Sequence, residues 1–259
     1  MAVVLAIRLF LRYTLHRSTE GESFFMWNKK IEDCILYEDH EILVCHKPAG
    51  IAVQNSRIGS MDMESALRNY LAAKSGETST PWLGVVHRLD QPVEGAIIFA
   101  KTAQAAAKLN SQMTKGDFGK IYLAVTGQCC TEEGILIDYL LKDGRKNMSS
   151  VVNEKTKGSK KAILGYQLLE RIQDERISSG IRCLIKIKLD TGRHHQIRVQ
   201  MCHAGMPLIG DRKYNPTDVS GLPLGLCSSY LSFVHPVTGK KMEFSVFPKG
   251  DTFKGFSGI

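Results

Sequence analysis

The stretch GIRCLIKIKLDTG, residues 180–192, constrains the fold more than any other part of the chain. Ile181, Cys183, Ile185, Ile187 and Leu189 alternate with residues that are mostly polar: Arg182, Lys186, Lys188 and Asp190. A period of two is the signature of a strand with one face in the core. GKIYLAVTG (119–127) repeats the pattern, with Ile121, Leu123 and Val125 on one face and Tyr122 and Ala124 on the other. CILY and ILVCHK flank the polar turn EDHE, and GAIIFAKT and KKAILGYQLLERI add further strands. LSFVHPVTGKKMEFSVFP (231–248) reads as a hairpin around its Pro/Thr/Gly turn.

Helices are fewer. MDMESALRNYLAAKSG (61–76) carries Ala66, Leu67, Tyr70 and Leu71 at helical spacing and ends on Gly76. AQAAAKLNSQMTK (103–115) is alanine-rich and closed by Gly116, and HHQIRVQMCHAG (194–205) is a short helix ending at Gly205. Strands outnumber helices and sequential neighbours form hairpins. The expected fold is therefore α+β, a mixed, mainly antiparallel sheet with flanking helices. Residues 26–259 read as one domain, and 1–25 as a loose extension or a start assigned too early. The apolar run in MAVVLAIRLFLRYTLHRST is too short to span a bilayer, although its three arginines and lack of acids also suit a transit-type segment.

A net charge of +8 favours a polyanionic partner without proving one. KDGRKNMSSVVNEKTKGSKK (142–161) reads as a loop, with seven lysines and arginines against Asp143 and Glu154. It is either a solvated connection or an electrostatic guide for phosphate backbone, in which Lys142, Arg145 and Lys146 are candidates. Seven irregularly spaced cysteines, with no Cys-x-x-Cys, argue against a disulfide framework or zinc knuckle and fit a reducing, cytoplasmic setting. No metal or cofactor is expected.

Three constellations carry potential chemistry. In VVHRLDQPVEGAIIFAKT (85–102), Asp90 sits at the entrance of an apolar strand, where a carboxylate needs a cationic partner to stay ionised. Arg88 is one candidate by spacing. Arg193 and Arg198, in LDTGRHHQIRVQ, are distant ones, since a guanidinium fork suits a carboxylate. Tyr122, off the apolar face of its strand, is a platform on which a nucleobase can stack.

Four segments in this order, LVCHKPAGIAVQ, HRLDQPVEGAIIFAKT, GKIYLAVTG and LDTGRHHQIRVQMCHAGMPLIGDRKYN, resemble the RluA family of RNA pseudouridine synthases. The closing HPVTGKKMEFSVFP is also similar, so the resemblance runs from about Ile35 to about Pro248. It implies a sheet split by a central RNA-binding cleft, and isomerisation of uridine in ribosomal or transfer RNA without cofactor or metal. By the same resemblance Asp90 is the catalytic carboxylate, Arg88 takes the flipped base's place in the RNA, Tyr122 packs on the uracil and Arg193 pairs with Asp90. Arg198 is then left to face RNA.

Val93 and Glu94 stand where many relatives carry Thr-Ser, which adds an acid near a polyanion site. The ~30 residues before the first strand are too few for the small RNA-binding domain of many relatives. The catalytic domain is therefore expected to recognise RNA itself or with a partner's help, as a monomer. An RNA-binding module without catalysis would explain the charge but not Asp90. A glycoside hydrolase would need a second, opposed carboxylate, and Glu94 cannot be placed there from sequence.

Overall fold

The computed structural model describes residues 30–55, 61–75 and 80–259. The expectations for residues 1–25, for Met26 and for Gly76 lie outside the described residues. In chain order the elements are β1 (Ile35–Glu38), β2 (Ile42–Lys47), α1 (Met63–Ser75), β3 (Gly84–Val85), β4 (Glu94–Ala100), α2 (Ala103–Lys115), β5 (Gly119–Thr126), β6 (Glu133–Asp143), β7 (Met148–Val152), β8 (Lys160–Gln173), β9 (Ile181–Leu189), α3 (Gln196–His203), β10 (Leu226–Val234) and β11 (Lys241–Ser245).

All the strands join one sheet, in the order β1-β2-β4-β10-β5-β9-β8-β6-β7, with β3 on β4 and β11 on β10. Every pairing is antiparallel except that of β4 with β10. This is the mixed, mainly antiparallel sheet expected from the alternation.

Alternation also sorts the core. Tyr122, Ala124, Cys183, Ile185 and Ile187 pack with Met63 and Leu67 of α1 and Ile197 and Met201 of α3. Leu123, Val125, Cys227 and Leu231 point the other way, toward Ala105 and Leu109 of α2 and toward Phe253 and Phe256 near the C-terminus. With both faces covered, β2 and β4 are buried at every position. Their sequences are accordingly near-continuous apolar runs.

The parallel seam needs glycine. Gly95 has φ +123°, and a Cβ there would lie 2.4 Å from the Ser228 carbonyl oxygen. No L side chain fits without moving β10. The α2 termini follow from local chemistry. Thr102 Oγ1 accepts the Ala105 N–H at 3.1 Å, and Gly116 takes the left-handed conformation at φ +85°.

One region corrects the sequence reading. Residues 142–161 are not a loop: Lys142 and Asp143 end β6, residues 148–152 form β7, and Lys160 opens β8. Asp143 Oδ1 accepts the N–H groups of Arg145 and Lys146, closing the tight β6–β7 connection. β6 was hidden because its outer face carries exposed Ile135 and Ile137, which blur the alternation.

Candidate active site

Asp90 lies in the turn between β3 and β4, where its carbonyl accepts the Val93 N–H at 3.0 Å. Lys47, at the end of β2, braces this turn. Its fully buried ammonium donates to the carbonyls of Pro48, Ile51 and Gln91 at 2.8, 2.6 and 3.1 Å. The Gly50 N–H also donates to the Gln91 carbonyl, at 2.8 Å. The 48–51 segment and the Asp90 turn are thus one hydrogen-bonded unit. Burial pulls Lys47 down to about 7, against the charges of Asp90 and Glu94 that favour its protonation.

The Asp90 carboxylate receives Arg198 Nη1 at 3.1 Å on Oδ2. The remaining donors of Arg198 form a fork on Asp211, with Nε to Oδ2 at 2.8 Å and Nη2 to Oδ1 at 2.7 Å. Asp211 is fully buried. Burial alone would raise its pKa, but Arg198 and the N–H groups of Lys213 and Tyr214 bring it below the ordinary carboxylate value. Burial likewise works against the Arg198 charge, and the two carboxylates overcome it. The Arg198 guanidinium also lies 5.2 Å from the centre of the Tyr214 ring.

This geometry revises two expectations. Arg193 does not pair with Asp90; its Nε donates to the Lys161 carbonyl at 2.9 Å, across to β8. It sits in the turn before α3, where its own N–H is tied to Gln196 Oε1, and it lines both the small pocket and the cleft. Arg198, two residues into α3, reaches Asp90 instead. Arg198 is therefore not a residue free to face RNA, because it is buried between two carboxylates.

Tyr122 reaches the site through strand register. It pairs with Ser228 of β10, which pairs with Gly95 of β4, five residues beyond Asp90. Its ring is buried rather than exposed and lines a small pocket together with Arg88, Asp90, His195 and Arg198. Burial raises its hydroxyl pKa, so the phenol is neutral.

The small pocket opens into a cleft of about 1260 Å³. Small-molecule sites commonly occupy roughly 300–1,000 Å³, so the cleft has room for a larger ligand. Arg88, Lys120, Lys142, Arg193, Arg212 and Lys213 line it, and among the described residues Asp90 is the only carboxylate in the lining. Arg145 and Lys146 are exposed at the tip of the β6–β7 hairpin and are not among the cleft-lining residues, although Lys142 and Asn147 on either side of them are.

Glu94 points elsewhere. It is buried, accepts the N–H groups of Lys249 and Gly250 at 2.9 Å each, and lies 3.6 Å from His46 Nε2. Burial opposes its charge, and these partners outweigh it, leaving the pKa lowered. The extra acid anchors the C-terminal segment and is not among the cleft-lining residues.

Sequence reasoning missed Asp211, His195 and Tyr214. Their only signal was placement within the RHHQIR and GDRKY runs. Among the described residues no His, Cys, Asp and Glu cluster could hold a metal, and no helix is long and apolar enough to cross a membrane.

A half-buried carboxylate held by a buried arginine in a basic cleft, on a mixed sheet, suits an enzyme that acts on a polyanion, and comparison with known proteins agrees. The family model for RNA pseudouridylate synthase matches residues 41–203. An uncharacterized RNA pseudouridine synthase of Bacillus subtilis, YlyB, is 33% identical over 81% of this chain and 67% of its own length. Ribosomal large subunit pseudouridine synthase D of Pseudomonas aeruginosa is 32% identical over 83% of this chain and 68% of its own. tRNA pseudouridine synthase C of Vibrio parahaemolyticus is 28% identical over 80% and 87%. The chain spans about two thirds of the length of the first two relatives. Among solved structures, human RNA pseudouridylate synthase domain containing 1 superposes with a TM-score of 0.68 at 20% identity, over 86% of each chain. The chain belongs to the RNA pseudouridylate synthase family, in its RluA branch.

Proposed function

We propose that this chain isomerises specific uridines of structured ribosomal or transfer RNA to pseudouridine, with Asp90 as the catalytic carboxylate. The observation that carries this reading is the Arg198–Asp90 pair beside the Tyr122 ring at the base of a basic cleft. The relatives' names, which include both a ribosomal and a transfer RNA enzyme, leave both RNA classes as substrates.

In the reaction the N1–C1′ bond breaks, the uracil turns, and C5 bonds to C1′. The proton on C5 is lost and N1 gains one, so the step is a net isomerisation. Asp90 acts as a carboxylate, with the Arg198 guanidinium as its ion-pair partner. The nucleotide must leave its stack to reach the pocket. Stacking on Tyr122 offsets part of that cost, about 1–3 kcal/mol, and Arg88 fills the vacated place in the RNA. We read the protein as a cytoplasmic monomer, which light scattering of the purified chain and imaging of a tagged copy check.

The decisive experiment is mapping pseudouridines in total RNA from cells with and without this protein. Sites that disappear identify the substrate. No change at any site overturns the reading, and release of free uracil from RNA points to hydrolysis instead.

A further inference from the structure

His195, which lines the pocket, belongs to a polar chain to which the catalytic reading gives no task. The Tyr214 hydroxyl oxygen receives the Ser149 N–H at 2.7 Å and lies 2.9 Å from Nδ1 of His195. A backbone N–H only donates, so the hydroxyl accepts from Ser149 and its own proton is available to Nδ1. The opposite nitrogen of the same ring, Nε2, is 3.5 Å from Asp90 Oδ2.

His195 is buried and holds φ +53°, a conformation uncommon for a residue with a side chain. Its ring is fixed on two sides. His194 stacks on it at 3.8 Å, and Tyr214 meets it edge-on at 5.6 Å. His194 is held in turn by Ser149 Oγ at 2.9 Å and Asn147 Oδ1 at 3.0 Å. Burial, with Arg198, His194 and Lys213 nearby, keeps His195 neutral despite the pull of Asp90. A neutral imidazole has one N–H, and its partner at the other nitrogen decides where that proton sits.

We propose that His195 is a positioning residue: Tyr214 locks it as the Nε2–H tautomer, and it acts with Arg198 on Oδ2 of Asp90, leaving Oδ1 as the oxygen that meets the nucleotide. This rests on Asp90 being the catalytic carboxylate. Both contacts fall on Oδ2, Arg198 at 3.1 Å and His195 at 3.5 Å. Arg198 supplies the charge, and His195 adds a directional donor without adding a second cation. A separation of 3.5 Å is long for a hydrogen bond, and contacts of this kind tighten when substrate fills a site.

Long-range ¹H–¹⁵N correlation spectra of the labelled protein test the tautomer directly. At neutral pH the wild type should show His195 protonated at Nε2, and Tyr214→Phe should show a mixture. An Nδ1–H wild type overturns the proposal. In steady-state assays Tyr214→Phe should lower kcat about tenfold, the equivalent of one hydrogen bond, with KM little changed. His195→Gln, whose amide nitrogen takes the place of Nε2, should retain more activity than His195→Leu. Adding Tyr214→Phe to His195→Gln should then cost little more. An equal loss in both backgrounds would mean that Tyr214 merely supports Ser149, and the proposal would fail. If the wild type converts no uridine in any RNA, the catalytic reading fails while the spectra still decide the tautomer.

Discussion

Asp211 grips Arg198 through two hydrogen bonds, at 2.7 and 2.8 Å, so that only the third nitrogen of the guanidinium is left for the pocket. A lone arginine on a flexible stem would spread its donors over many geometries. The buried fork removes that freedom and aims Nη1 at Asp90. Breaking a buried ion pair by removing one partner costs roughly 3–5 kcal/mol. Asp211→Asn should therefore lower stability to urea by an amount near that range and reduce pseudouridine formation.

The same pair gives a signed pH dependence. Asp211 has a lower pKa in the folded chain than in the unfolded one, where a carboxylate titrates at roughly 4. Its contribution is complete above that value and is lost as pH falls through the folded pKa. Urea midpoints measured between pH 3 and 7 should fall less steeply at the acid end for Asp211→Asn than for wild type. Superimposable acid limbs would show that the pair contributes nothing.

Lys47 carries the opposite sign. Its folded pKa of about 7 lies below the ordinary lysine value of roughly 10.4, so the unfolded chain binds more protons between the two. Charging the buried ammonium is a cost that is complete below pH 7 and is relieved as pH rises toward the unfolded value. Stability from this source should climb across that window and lose the climb in Lys47→Met. That variant should also be less stable at every pH, because three carbonyls lose their shared donor.

For chemistry, Asp90→Asn keeps size and shape but removes the charge. Conversion, followed by tritium release from uridine-labelled RNA, should be abolished while RNA binding stays nearly intact. Tyr122→Phe keeps the stacking ring and should keep most activity. A loss as deep as that of Asp90→Asn would show that the hydroxyl does more than accompany the ring.

Affinity for RNA should depend on salt. Each phosphate contact removed lowers the slope of log K against log salt by roughly 0.7–0.9. Lys142 lines the cleft and Arg145 sits on the hairpin tip. Lys142→Ala should therefore reduce the slope, measured by fluorescence anisotropy, more than Arg145→Ala. Equal reductions would extend the RNA path onto the tip.

The elements most legible in the sequence were those whose alternation or capping was undiluted. β9, β5 and α2 were placed close to their observed bounds, while the closing hairpin was placed by its turn and its first strand begins five residues earlier, at Leu226. β6 was not, because Ile135 and Ile137 face outward and the basic run beyond Asp143 resembled a solvated loop. In the site, Asp90 and Tyr122 stood out by position at a strand entrance and on a strand face. Which arginine serves Asp90 was not legible. Arg193 and Arg198 lie five residues apart, and only the turn that directs Arg193 to Lys161 separates their directions. Glu94 looked like a cleft acid because one-dimensional distance from Asp90 says nothing of which side of β4 it occupies.

The seam between β4 and β10 has a bearing on synthesis. β4 and β5 are consecutive strands of the chain, yet β10, which emerges after all but β11, is the strand that lies between them. Until residues 226–234 leave the ribosome, Tyr122 has no strand linking it to the Asp90 turn. Contacts this distant in sequence form slowly. The candidate pocket of a nascent chain therefore stays unassembled until β10 has been made, long after the Asp90 turn itself.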